Sequence, residues 1–227
     1  MAVRGAFVER IVEPEVMDDP AQAVAYAQAD FAQVNQAFVG RFCAEFPEFR
    51  TGRVVDLGCG PADIPIRLAR ALPAVHITAV DASAPMLELA RQAVAAGGLA
   101  GSITLVEGRL PGLPLPAAGF DAIISNSLVH QLPDALPFWE EVRRLARPAA
   151  ALLVVDLLRP ESEDVAHALV RAYSSEADDP LLKRDFFNSL CAAFTPDEVA
   201  AQLRAAGLGH LEPRVISDRH WDVAGRL

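Results

Sequence analysis

The chain holds 227 residues, 52% of them apolar and 22% charged, enough for one α/β domain with a full core or for such a domain with a small lid. Its net charge of −10, with Lys183 as the single lysine, opposes an extended phosphate-binding surface, because nucleic-acid affinity rests on many Lys or Arg contacts. Cys43, Cys59 and Cys191 lie far apart, and their spacing suggests neither a disulfide framework nor a metal site, so a reducing compartment is expected.

In chain order, residues 1–10 lack the apolar core of a secretory signal. No apolar run reaches membrane-spanning length, since Asp156 interrupts the best one, 149–158. A cytoplasmic protein without a membrane span is expected. Residues 1–50 read as an amino-terminal helical cap: between Ala21 and Phe49 the apolar positions Val24, Phe31, Val34, Phe38, Phe42 and Phe46 recur at helical spacing. After Pro47 short β-branched runs alternate with helical stretches, which predicts a parallel sheet with crossover helices over 51–158. Strands are expected near 53–57, 76–80, 103–107, 121–125 and 151–156. One helix starts near Ala62, carries Pro65 in its opening turn and stops before Pro73; another runs over 85–96 and ends at Gly97-Gly98. The stretch 108–119 is too rich in Pro and Gly for a helix and is expected as an open loop, while Arg143, Arg144 and Arg147 are assigned to a solvated helix face. Residues 159–194, with Tyr173, Asp178-Asp179-Pro180 and Phe186-Phe187, read as a helical lid insertion. Thr195-Pro196-Asp197-Glu198 is a helix start, and that helix ends at Gly207. Stretches 210–217 and 220–225 read as a terminal strand hairpin, all within a single domain over 1–227.

The densest chemistry lies in Val54-Val55-Asp56-Leu57-Gly58-Cys59-Gly60-Pro61-Ala62-Asp63, followed by Val80-Asp81. A glycine turn between strand and helix usually cradles phosphates on helix amides, but Asp56 would repel a pyrophosphate. The third glycine of a dinucleotide fingerprint is replaced by Asp63, and no Gly-Lys-Ser/Thr follows. S-adenosyl-L-methionine answers the pattern better, because it carries a sulfonium and an ammonium, no phosphate, and a ribose. Asp81 can accept from both ribose hydroxyls, or alternatively cap the helix that begins near Pro85.

On Asp56, Gly58, Gly60 and Asp81 the chain resembles the class I S-adenosylmethionine-dependent methyltransferases, over roughly residues 50–227. The resemblance implies a Rossmann-like, doubly wound, seven-stranded sheet, mostly parallel with an antiparallel last strand, and a cofactor cleft between the first and fourth strands. Carried over by position, the cofactor residues are Asp56, Gly58, Cys59 and Gly60 after the first strand, and Asp81, Ala82 and Met86 after the second. Gly108, Arg109 and Leu110 follow the third strand, and Asn126 and Ser127 the fourth. Two departures stand out: Arg109 replaces an acid that many relatives use on adenine, and Ala62 replaces a glycine, a mild change if only packing matters. Asn126-Ser127-Leu128-Val129 lacks the proline and aromatic of base methyltransferases, which points to a small-molecule branch similar to the quinone-pathway C-methyltransferases. The implied reaction is in-line transfer of a methyl group to a small organic acceptor, with S-adenosyl-L-homocysteine as product and no metal. A cofactor-binding member without catalysis, or a protein or RNA methyltransferase, are the alternatives. His130 is the leading general-base candidate, weighed against a plain backbone contact. Tyr26 follows, then Tyr173 and Asn188. Arg159 and Arg219 are the cations that a modified cofactor would need.

Overall fold

In a computed structural model the described residues are 8–13, 18–174 and 180–227. The stretch read for a signal, through Phe7, the segment 14–17 of the cap, and Asp178-Asp179 of the insertion lie outside them. A seven-stranded sheet forms the centre, in the order β3-β2-β1-β4-β5-β7-β6. Its strands are β1 (Thr51–Leu57), β2 (Ala74–Asp81), β3 (Ile103–Glu107), β4 (Phe120–Asn126), β5 (Ala146–Leu157), β6 (Pro213–Val215) and β7 (His220–Arg226). β1 to β5 run parallel, and β7 lies antiparallel between β5 and β6. Parallel strands are covered on both faces, which is why Val54–Leu57 and Ala150–Leu157 are continuously buried runs and do not alternate.

Eight helices pack on the sheet among the described residues: α1 (Pro20–Gln28), α2 (Ala32–Glu45), α3 (Asp63–Ala71), α4 (Ala84–Ala96), α5 (Leu136–Leu145), α6 (Glu163–Tyr173), α7 (Pro180–Ala192) and α8 (Pro196–Ala205). One face is filled from α2, α3 and α4 by Phe38, Phe42, Leu68 and Leu87, with Phe42 packed edge-on against Phe49 at 5.5 Å. The other is filled from α5, α8 and β7 by Phe138, Trp139, Leu203 and Trp221. This is the doubly wound arrangement that the resemblance implied, and none of the described helices is long and apolar enough to cross a membrane.

Several local expectations are corrected. The periodic stretch from Ala21 is two helices, because Asp30 Oδ1 accepts from Ala32 N at 3.1 Å and this local bond replaces the helical ladder. β5 starts at Ala146, earlier than its apolar run, since Ala146 pairs with Phe120 and a register shift with Ala149 at φ 63° absorbs Arg147 and Pro148. β6 shrinks to Pro213–Val215 on the sheet edge, where a proline costs no ladder bond. The three arginines of α5 and its exit are committed to partners. Arg143 donates to Ala206 O, Arg147 to Asp121, and half-buried Arg144 to Glu141 and to the carbonyls of Leu113 and Leu115. Glu141, itself buried, accepts from Leu113 N at 2.9 Å, so α5 holds the non-helical stretch 108–119 in place. At α8 the capping box forms as expected, Thr195 Oγ1 accepting from Glu198 N and Thr195 N donating to Glu198 at 2.8 Å.

Candidate cofactor site

β1 and β4 are neighbours whose crossovers leave in opposite directions, so their carboxyl ends part and open a crevice. A cavity of about 670 Å³ occupies it, within the range of small-molecule sites. Tyr26, Asp56, Gly58, Cys59, Gly60, Asp81, Ala82, Met86, Gly108, Arg109, Leu110, Asn126 and Ser127 all line this one space. The sequence scatters them over a hundred positions; the parallel sheet brings their strand ends to one edge. His130 does not line it.

The turn after β1 is built for close approach. Gly58, at φ +77°, and Cys59 both donate backbone N–H to Val80 O at 2.9 Å, and a Cβ on Gly58 would sit 3.0 Å from the Leu128 side chain. Gly60, at φ +52°, donates to Asp81 Oδ2 at 2.7 Å, and a Cβ there would project into open cavity. Asp81 Oδ1 accepts from Ser83 N at 2.9 Å, so this carboxylate ties the glycine turn to the end of β2. Capping of α4 falls to Ser83, whose Oγ accepts from Met86 N. On the far side Ser125 Oγ donates to Leu57 O at 2.8 Å, clamping β4 to β1 where the crevice opens.

Ala62 corrects the sequence reading. It stands at φ 66°, ψ 26°, the left-handed region, as the residue that caps α3. A position that favours glycine carries an L side chain, so the departure is conformational and not one of packing alone. Asp63, at the place of a fingerprint glycine, accepts from Asn35 Nδ2 at 2.8 Å and from Arg67 Nε at 2.7 Å, joining α2 to α3.

The electrostatics centre on two carboxyls. Asp56 is 2% exposed, and no protein donor reaches its carboxylate among the described residues. Burial, with the charge of Asp81 added, pushes it up to about 8. Asp81 is raised by burial as well, against the backbone N–H groups of Ser83, Gly60 and Ala82 that favour its charged form. Tyr26 of α1 lines the same cavity, its ring 4.9 Å from that of Phe31. Burial and then the charges of Asp81 and Asp156 push its phenol up to about 12, so it is a hydrogen-bond donor at neutral pH.

His130 sits in a single 3-10 turn, Val129–Gln131, directly after β4, 3% exposed. Its Nδ1 lies 2.6 Å from Asp156 Oδ1, and the same carboxylate accepts from Val129 N at 2.5 Å and Leu157 N at 2.7 Å. Burial works to lower the imidazole, yet the charge and hydrogen bond of Asp156 hold it above the ordinary histidine value. The other candidates stand apart from the cavity. Tyr173, 47% exposed, donates to Asp218 and lies under the Arg219 guanidinium, Asn188 is exposed on α7, and Arg159 pairs with Glu198. Phe186 packs beside Leu157 and Leu190, and Phe187 stacks on His167 at 4.4 Å, so both serve lid packing.

Arg10 escaped the sequence reading. It donates to the carbonyls of His130, Leu132, Pro133 and Ala192, and its guanidinium lies 3.8 Å over the Phe194 ring. It thereby fastens the loop that carries Gln131 and Leu132, two further residues of the cavity wall. An arginine outside any periodic pattern gave no signal.

Residues 54–149 match the family described as methyltransferase domain. The matched stretch contains the glycine turn, Asp81, Arg109 and Ser127, while α1, α2, the insertion and the β6–β7 hairpin lie outside it. An uncharacterized methyltransferase of Mycobacterium tuberculosis is 35% identical over 107 residues, 47% of this chain and 51% of the relative. A demethylmenaquinone methyltransferase of Lactiplantibacillus plantarum is 34% identical over 109 residues, 48% and 46% of the two chains. The chain thus spans about half the length of the curated relatives it matches. A solved S-adenosylmethionine-dependent methyltransferase from Aquifex aeolicus shares the fold, with a TM-score of 0.65 at 19% identity over 92% of this chain and 98% of its own.

Proposed function

We propose that this chain binds S-adenosyl-L-methionine and transfers its methyl group to a small organic acceptor, leaving S-adenosyl-L-homocysteine. The observation that carries the reading is Asp56, a buried carboxyl at the cavity that lacks a protein donor among the described residues and lies beside the side-chain-free backbone of Gly58 and Gly60. Such a group is relieved by a cation, and a pyrophosphate would add to its cost. The family match of residues 54–149 supports the same assignment.

When bound, the cofactor supplies a methyl carbon made electrophilic by a positively charged sulfur. The chain's own residues bind and orient. Asp56, Gly58, Cys59 and Gly60, with Asn126 and Ser127 opposite, hold the methionine part. Asp81 and Ala82 take the ribose, and Met86, Gly108, Arg109 and Leu110 wall the adenine. His130, locked on Asp156, is a positioning residue for the loop of Gln131 and Leu132, because its buried ring is spent on that carboxylate. Tyr26 of the cap reaches the acceptor side and helps exclude water. In this reading 51–158 is the cofactor-binding core of a single domain, 1–50 its cap and 159–194 its lid. A cytoplasmic location suits the free thiols of Cys43, Cys59 and Cys191.

Titration calorimetry with S-adenosyl-L-homocysteine tests the proposal. The wild-type protein is expected to bind it, and Asp81→Ala to bind at least tenfold more weakly, about 1.4 kcal/mol or more. Failure of the wild type to bind either the cofactor or its product, with retention of a nicotinamide or flavin dinucleotide, would overturn it.

A further inference from the structure

Among the described residues the charged side chains lining the cavity are Asp30, Asp56, Asp63 and Asp81 against Arg67 and Arg109. Arg67 is held by Asp63 and Gln36. Arg109 follows β3, which lies three strand spacings, about 14 Å, from β4 in the sheet order. Around the opposite wall, Arg10 is engaged by four carbonyls, Arg159 by Glu198, Arg219 by Asp218 and the Tyr173 ring, and His130 by Asp156, while Lys183 of α7 does not line the cavity. A carboxylate or phosphate placed there would be desolvated next to aspartates with no cation of the described cavity lining to meet it.

What the wall beside β4 does offer is apolar surface and one phenol. Leu128 and Leu132 line it, and Phe31, 37% exposed, lines the same cavity. Tyr26 lines the same cavity, its ring 4.9 Å from that of Phe31. Its hydroxyl has no hydrogen-bond partner among the described residues, and with its proton retained it can donate to an oxygen of a molecule in the cavity.

Resting on the methyltransferase reading, we infer that the acceptor is an uncharged, largely apolar molecule whose hydroxyl or carbonyl oxygen is held by the Tyr26 phenol, and that anionic acceptors are rejected. Tyr26 is on this account the specificity-determining residue of the acceptor side. The apolar wall rewards apolar contact, and a hydrogen-bonding site of this kind discriminates through the group left unpaired when the oxygen is missing.

The test uses two probes that share a naphthalene ring, 2-naphthol and 2-naphthoate, titrated at pH 7.5 into full-length protein saturated with S-adenosyl-L-homocysteine. Wild type is expected to bind the naphthol at least tenfold more tightly than the naphthoate. Tyr26→Phe is expected to lower naphthol affinity at least fivefold under the same saturation. Equal or tighter binding of 2-naphthoate, no binding of 2-naphthol, or a Tyr26→Phe protein that binds naphthol as wild type does would each overturn the inference. The comparison of the two probes on wild-type protein decides even if the variant folds poorly. A protein that never takes up S-adenosyl-L-homocysteine fails at the earlier step, and that result counts against the cofactor proposal instead.

Discussion

Ala62 shows how one side chain can carry a cost that only the backbone reveals. The left-handed region disfavours an L residue by about 1–2 kcal/mol, yet the methyl of Ala62 is fully buried. Removing it forfeits about 0.8 kcal/mol of burial and frees the unfolded chain by about 0.4–1 kcal/mol. The opposing effects nearly cancel, so Ala62→Gly is expected within about 0.5 kcal/mol of wild type by urea denaturation. Ala62→Val, with a branched side chain in the same conformation, is expected to lose about 2 kcal/mol or more. Similar losses in both variants would show that the strain is not felt. His130 behaves differently, because its value depends on charge. Breaking its buried bond to Asp156 is expected to cost about 3–5 kcal/mol. Its imidazole is held above the ordinary 6.5, so the pair's contribution is complete below that pH and fades as pH rises through the higher value in the folded protein. The stability gap between wild type and His130→Gln should therefore be widest in acid and narrow above neutrality. A gap that widens with pH would contradict the pairing.

Some segments announce themselves and others are made by partners far along the chain. The β1 turn, the glycine stop of α4 and the Thr195 box are local chemistry, so their residues alone specified them. The α1–α2 break was hidden because the apolar positions run through it in helical register; only the Asp30 bond to Ala32 N separates the helices. The early start of β5 was hidden because its first pair, Ala146, depends on Phe120 of β4. Among site residues, those on strand ends were legible, since a parallel sheet always presents them to the crevice. Where the ring of His130 lies was not, because it is set by Asp156, a residue whose sequence position reads as ordinary strand. Arg10 is the extreme case, with acceptors 120 to 182 positions away. Its strap joins the start of the cap to the loop after β4, to α7 and to Phe194. Arg10→Ala is expected to lose about 2–4 kcal/mol in chemical denaturation, from several charge-assisted bonds at about 1.5–3 kcal/mol each discounted for partial exposure. Arg10→Lys should recover less than half, since an ammonium cannot span four carbonyls as a guanidinium fork does. Full recovery with lysine would mean that charge alone matters.

The acid pair at the centre of the sheet links folding, ligand and pH. Asp56 ordinarily titrates near 3.8 and is raised to about 8 in the fold, so between those values the folded protein holds a proton that the unfolded chain releases. Its contribution to stability is fully present below 3.8 and is lost as pH rises through about 8. Asp81, also raised, acts in the same sense, and Asp56→Asn should flatten this slope and raise the melting temperature at pH 8 by several degrees. The cavity is therefore least comfortable when the Asp56 carboxyl is ionised without company, and that is the condition a cation relieves. Binding of a sulfonium and ammonium pulls the Asp56 titration back down, so near pH 7 uptake of S-adenosyl-L-methionine should expel part of a proton per site, and affinity should climb from pH 6 to 8. The expulsion is read directly by titrating the cofactor in buffers of different ionisation enthalpy: the observed heat should vary linearly with that enthalpy in wild type and much less in Asp56→Asn. The same heat in every buffer for the wild-type protein would mean that Asp56 is already ionised before the cofactor arrives, and the electrostatic basis of the site would have to be sought elsewhere.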